Sequence, residues 1–229
     1  MSGFYERTDL LYGEKTRKVF TSSSVVVFGL GGVGGTAFEA LVRSGVGKIF
    51  AVDYDVVSES NLNRQVLFTR EEVEKGKALS AQQRANSINP LCEVVVDEYK
   101  VSKETLCNKD YSGCSFLIDA MDDLNAKIAV ASYALEHDIG FAISLGMANR
   151  FDPSKLLITT LNKTEGDPLA RKLRSLAREK GLPLDKILCV CSKEIPVSHN
   201  GLLSSSMIVP STAGLFLASL ALDFLSKQA

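Results

Sequence analysis

Phe28–Asp55 reads FGLGGVGGTAFEALVRSGVGKIFAVDYD. The β-branched run SSVVVFG leads into it as a buried strand that ends on glycine. Gly29, Gly31 and Gly34 then follow in GxGxxG spacing, and a helix is expected over Gly32–Ser44. Glycine at these places allows a tight turn, close approach of backbone to phosphate, and close helix–strand packing. The helix start offers free N–H groups and the positive end of its dipole to an anion. GKIFAVDYD is the next strand, and Asp53 lies 19 residues beyond Gly34, at its end. A carboxylate there can take two ribose hydroxyls. The unit therefore binds a nucleotide. The glycines leave open whether that is a dinucleotide for hydride transfer or ATP.

The bulk properties bound the setting. The chain has 229 residues and is 45% apolar, enough for one large domain with a full core. Its net charge is −1, so no global field draws it to nucleic acid or anionic membrane. The N-terminus MSGFYERTDLLYGEKTRK has no signal-peptide apolar core. The longest apolar stretch, Ala213–Leu225, is short for a bilayer. A soluble cytoplasmic protein with no membrane contact is expected. The five cysteines are odd in number and lack CxxC spacing, so neither a disulfide framework nor a structural zinc site is expected.

Strand and helix patterns alternate. Thr8–Phe20 reads as a short helix and Glu71–Ile88 as a long one stopped at Asn89-Pro90. CEVVVDEY and CSFLIDAMDD are the third and fourth strands. A helix over Asn125–His137 leads to a fifth strand, GFAISLG. Such alternation implies an α/β fold, a doubly wound and mainly parallel sheet covered on both faces. Beyond residue 150 come two strand-like runs, KLLITTL and KILCVCSKEI. Between them lies a helix, DPLARKLRSLAREKG, with Asp167 as N-cap. An apolar helix after Pro210-Ser211 closes the chain. The expected organisation is a single domain over residues 1–229, with a Rossmann-like nucleotide-binding core over 1–150 and a C-terminal elaboration over 151–229 for substrate and dimerisation.

The segment after Asp53, YDVVSESNLNRQVLF, speaks to the nucleotide. Hydride transfer has no general need for Asn61, Asn63, Arg64 and Gln65 packed together. A triphosphate does, because arginine supplies charge-assisted bonds to phosphate oxygens and asparagine amides fix base, ribose or phosphate. Lys77 stands as a second cation. Asp122 and Asp123 follow the fourth strand, on the side where open α/β sheets bind ligands. A carboxylate facing a polyphosphate usually has Mg²⁺ between them. A dinucleotide-binding oxidoreductase and a binding-only relative remain as competing readings.

The glycine loop, VDYDVVSESNLNRQ, Lys77 and DAMDD together resemble the ubiquitin-activating-enzyme-like ThiF/MoeB adenylating family. That resemblance covers about residues 5–150. It implies a doubly wound fold that binds ATP·Mg²⁺, with Asp53 on the ribose and Asn61 and Arg64 on the nucleotide. It also implies Lys77 on phosphates and Asp122 placing Mg²⁺. The expected loop contacts are Gly29, Gly31, Gly32 and Gly34. Asp55, Ser60, Asn63 and Asp123 complete the expected nucleotide-binding set. Members usually form homodimers in which an N-terminal arginine reaches the partner's ATP. The spacing YxRxxxxxG is met by Tyr5, Arg7 and Gly13, which makes Arg7 the candidate finger in trans.

RTDLLYGEK, DPLARKLRSLAREKG and ILCVCSKEIPV resemble the branch of this family that dehydrates threonylcarbamoyladenosine in tRNA. The implied reaction is ATP-dependent activation of the threonyl carboxylate, ring closure by the ureido group, and net loss of water. The alternative is adenylation of a small ubiquitin-like sulfur-carrier protein at its C-terminal glycine. The paired zinc cysteines of the carrier-activating members are missing here. Arg171, Arg174 and Arg178 recur at three and four residues on one helix face, a stripe that fits a tRNA backbone. Cys189 stands where the branch has a cysteine. A thiol can capture an acyl-adenylate, but ring closure needs none, and Cys189 and Cys191 point the same way from a strand, with the core as one direction open to them. A sulfur-relay partner stays open. His137 and His199 are given no catalytic role.

Overall fold

The computed structural model describes residues 3–197, 200 and 202–229; His199 falls outside them. Seven strands form one sheet: β1 (Ser24–Phe28), β2 (Lys48–Val52), β3 (Glu93–Asp97), β4 (Phe116–Asp119), β5 (Gly140–Ser144), β6 (Leu156–Thr160) and β7 (Leu188–Ser192). Their spatial order is β3-β2-β1-β4-β5-β7-β6. Every pairing is parallel except β6 with β7. The chain runs outward from β1 to β3 and then returns to place β4 on the other side of β1. That reversal leaves a crevice beyond the C-terminal ends of β1 and β4, where open α/β sheets bind ligands.

Both faces of the sheet are covered, which is why its strands are continuous apolar runs rather than alternating ones. In β1, Val25 and Val27 join one core cluster, while Val26 and Phe28 join the other. The first cluster lies under α3 (Gly32–Ser44), α4 (Lys77–Ile88) and α8 (Ile208–Ser226). The second lies under α5 (Lys103–Cys107), α6 (Leu124–Glu136) and α7 (Pro168–Glu179). Phe28 is fully buried, so truncating it to alanine would cost about 3–5 kcal/mol.

The structure differs from the sequence reading at three helices. The N-terminal helix is two, α1 (Glu6–Tyr12) and α2 (Glu14–Ser22), because Gly13 has φ +83° and ψ 155° and breaks the run. The expected long helix over 71–88 begins only at Lys77. Glu74 has φ +69°, and the backbone of Gly76 bridges to Val56, so this stretch folds back as a loop. The last helix begins at Ile208, so Pro210 and Ser211 lie within its first turn and not before it. Its 19 residues are long and apolar enough, by length and composition alone, to cross a membrane. Val209, Ala213, Leu217 and Ala221 are nevertheless buried in the core, and the helix packs on α3 and β5. This is a core helix, and Gly214 makes the close contact possible: a Cβ there would meet Val33 O at 2.3 Å.

Candidate nucleotide and acyl-transfer site

A cavity of about 430 Å³ occupies the β1–β4 crevice. Its floor is the glycine loop. Gly29 has φ +84°, and its N–H donates to Val52 O at 2.8 Å. Gly34 does not line the cavity; it lies beneath the turn, where a Cβ would come within 1.8 Å of Gly29 O. Gly31 and Gly32 reach the cavity.

Asp53 ends β2 and also lines it. Its Oδ2 accepts from Leu30 N–H at 2.7 Å and its Oδ1 from Asp55 N–H at 2.9 Å. This carboxylate therefore ties the glycine loop to the loop after β2. Burial pushes the Asp53 carboxyl above the usual range, and the Lys77 charge and the two N–H groups oppose that push. Lys77 is the first residue of α4 and is almost wholly buried. Its Nζ lies 2.9 Å from Asp55 Oδ2, so its charge is already paired within the chain.

The SNLNRQ segment forms a tight loop. Ser58 leads into a single helical turn, Glu59–Asn61, and Asn61 Oδ1 accepts from Ser58 N–H at 3.1 Å. Asn61 and Arg64 line the cavity, whereas Ser60 and Asn63 do not. Ser60 contributes its carbonyl, which accepts from Arg64 Nη1 at 2.8 Å. Asn63 Oδ1 accepts from the same nitrogen at 2.9 Å, and Asn63 Nδ2 donates to Ser205 O at 3.0 Å. Both residues hold the arginine instead of facing the cavity. The remaining guanidinium N–H groups of Arg64 have no hydrogen-bond partner among the described residues.

Asp122 and Asp123 divide their work. Asp123 caps α6, accepting from Asn125 and Ala126 N–H at 2.8 and 3.0 Å, although it stays on the cavity wall. Asp122 is exposed, lines the cavity, and has no ion pair or hydrogen bond through its carboxylate among the described residues. It is thus the carboxylate open to a magnesium ion, which commonly takes one or two protein carboxylates and otherwise phosphate and water oxygens. Among the described residues no cluster of three His, Cys, Asp or Glu is placed to hold a metal by protein atoms alone.

Gln65 is a site residue to which the sequence assigned no separate role. It is buried on the cavity wall, and its Oε1 has no hydrogen-bond partner. An unpaired buried amide costs free energy that a bound ligand can recover. Tyr99 and Lys100, just past β3, also line the cavity; their place after a strand end was the available signal.

Five further expected site residues stand elsewhere. Arg7 is exposed on α1 and does not reach the cavity of its own chain. Arg174 donates to Thr164 O at 2.7 Å and to the Thr164 hydroxyl, so it fastens α7 to the preceding loop and leaves the basic stripe. Arg171 and Arg178 remain exposed. Cys189 is fully buried in β7, and burial drives its thiol far above the usual range. Cys191 is buried beside it and is pushed up to about 11. Neither is an accessible nucleophile, because the thiolate is the reactive form.

The ThiF family profile matches residues 5–164. The chain belongs to the ThiF family. Over 167 residues it is 38% identical to the tRNA threonylcarbamoyladenosine dehydratase of Escherichia coli (strain K12), covering 73% of this chain and 62% of that protein. That alignment spans just under two thirds of the relative's length. Over 193 residues it is 35% identical to the protein of the same name from Bacillus subtilis (strain 168), covering 84% of this chain and 76% of that one. The crystal structure of the E. coli dehydratase, TcdA, in complex with AMP superposes with a TM-score of 0.93 at 33% identity, covering 100% of this chain and 97% of that one. Its complex with ATP gives 0.92 at 34% identity, covering 98% and 94%. The ThiF fold is thus shared along essentially the whole chain.

Proposed function

We propose that this ThiF-family chain is an ATP-dependent adenylating enzyme. Its acyl substrate is the threonyl carboxylate of N6-threonylcarbamoyladenosine in tRNA. The observation that carries this reading is the β1–β4 cavity itself, with Arg64 and Asp122 open at its edge. It lies in a chain that superposes along its length on a relative crystallised with ATP and with AMP.

In this reading MgATP lies over the glycine loop. Asp53 and Asn61 hold ribose and nucleotide, and the Gln65 amide finds its missing partner on the ligand. Arg64 and Lys77 carry phosphate charge, and Asp122 helps place Mg²⁺. The carboxylate oxygen attacks the α-phosphorus and pyrophosphate leaves. The ureido group of the same nucleoside then attacks the acyl carbon, and AMP leaves with the former carboxylate oxygen. The nucleoside loses one water in net terms. Little covalent chemistry is asked of the protein. Positioning and charge stabilisation suffice, which accords with a site that has no buried base–nucleophile pair among the described residues.

The second copy in a homodimer would bring Arg7 to this cavity, and exposed Arg171 and Arg178 would meet tRNA phosphates. A sulfur-relay protein is a further partner of this reading. A cytoplasmic setting is part of this reading. The test is pyrophosphate release by the wild-type chain, supplied separately with tRNA bearing the modified nucleoside and with a carrier protein ending in Gly-Gly. Release with the tRNA supports the reading; release with the carrier alone refutes it.

A further inference from the structure

A second hollow, of about 260 Å³, adjoins the nucleotide cavity. The two share Gly32, Arg64, Ala120 and Asp122, so these residues form a common boundary. Beyond it the hollow is bounded by Val33, Met147, Ala148, Leu203, Ser205 and Pro210. Among the described residues these walls offer one side-chain hydroxyl and otherwise apolar side chains, with no cation past Arg64. A polyphosphate is poorly served by such walls. A short group with a carboxylate at one end and a small, partly apolar body fits them, with the carboxylate at the boundary.

The outer wall is pinned from two sides. Asn149 sits at φ +61°, a conformation that asparagine adopts more readily than most residues. Its Oδ1 accepts from Ser204 N–H at 2.6 Å and from the Ser204 hydroxyl at 2.8 Å. Its own N–H donates to Ser204 O at 2.7 Å. On the other side the Asn63 amide holds Ser205 O and Arg64 at once. A single side chain therefore links the wall of the second hollow to the cation on its boundary.

We infer that the second hollow receives the threonylcarbamoyl end of the acyl substrate, and that Asn63 is a positioning residue coupling its wall to Arg64 and not a ligand of the nucleotide. The inference rests on the acyl substrate proposed above and deepens it. A carboxylate entering here meets the phosphates where Arg64 and Asp122 stand, without crossing the space that ATP fills. The Leu203–Ser205 wall closes over the remainder of the group.

Two filling variants test the hollow, with equilibrium ATP binding measured beside steady-state pyrophosphate release on tRNA bearing the modified nucleoside. Ala148→Leu projects bulk from one side and Ser205→Leu, at a half-buried position, from the other. For each, kcat/KM for the tRNA should fall by about 10-fold or more while the ATP dissociation constant stays near the wild-type value. Asn63→Ala should impair turnover of the tRNA and, placed in an Arg64→Ala background, cost no further ATP affinity, because it acts on the nucleotide only through Arg64. Wild-type turnover by both filled variants overturns the subsite. A further loss of ATP affinity from Asn63→Ala in the Arg64→Ala background overturns the positioning role and makes Asn63 a nucleotide ligand. If the wild-type chain releases no pyrophosphate with this tRNA, the acyl-substrate reading fails first and takes this inference with it.

Discussion

Lys77 Nζ lies 2.9 Å from Asp55 Oδ2, with the lysine side chain buried and the aspartate half exposed. The expected phosphate cation is therefore held in reserve by a carboxylate of the same chain. Asp55→Asn would leave that ammonium without its charged partner and should lower stability by about 1 kcal/mol, since the exposed half of the pair is screened by water. Urea unfolding measures this. Lys77→Met should keep the fold and weaken ATP binding, and an unchanged ATP affinity would remove Lys77 from the site.

Gly34→Ala tests the glycine loop. The new methyl would meet Gly29 O at 1.8 Å, so the loop and the start of α3 must part. The cost should be about 1–3 kcal/mol from overpacking, with ATP binding lost. Gly47→Ala is the control. It would meet Thr21 O at 1.9 Å, away from the cavity, and should destabilise the fold without a specific loss of ATP affinity in the folded fraction.

The basic helix can be resolved residue by residue. Arg174→Ala removes two hydrogen bonds to Thr164 and should cost about 1–2 kcal/mol of stability. Arg171→Ala with Arg178→Ala should leave stability unchanged, weaken tRNA binding, and flatten its dependence on salt. Binding isotherms at several salt concentrations decide this. Unaltered affinity in the double variant would leave the helix as a solvated surface.

Thiol titration gives a pH prediction. Burial pushes Cys92 up to about 12 and Cys191 up to about 11, from an ordinary value of 9.0. Cys189 is displaced in the same direction. Above about pH 9 the unfolded chain releases these protons while the folded chain retains them, so the folded state binds more protons. Stability should therefore fall as pH rises past 9, by up to about 1.4 kcal/mol per pH unit for each thiol. In native protein at pH 8, a thiol reagent should label exposed Cys107 and spare the buried thiols. Rapid labelling of Cys189 would contradict its placement in the core.

Local signals were the legible ones. The strands and the helix over Gly32–Ser44 follow from short-range pattern and the glycine turn, and the structure has that helix over the same residues. Gly13 and Glu74 escaped because a positive φ leaves only a weak mark in sequence, and one such residue splits a helix pattern. The cavity could be located from strand ends, yet the division of labour within SNLNRQ could not. Asn63 is set by Ser205, 142 positions away, and nothing near Asn63 announces that partner. Asp123 serves twice: its N-cap role was readable from its place before a helix, and it also lines the cavity beside Asp122.

The central claim is the reaction, and its product is the most direct evidence. The measurement is mass spectrometry of nucleosides from tRNA bearing N6-threonylcarbamoyladenosine, after incubation with the wild-type chain and MgATP and a gentle digestion that spares a cyclic product. The account predicts a nucleoside lighter by one water, formed only with ATP and absent with Arg64→Ala or Asp122→Ala. An unchanged nucleoside after full incubation with active, ATP-binding protein would contradict it.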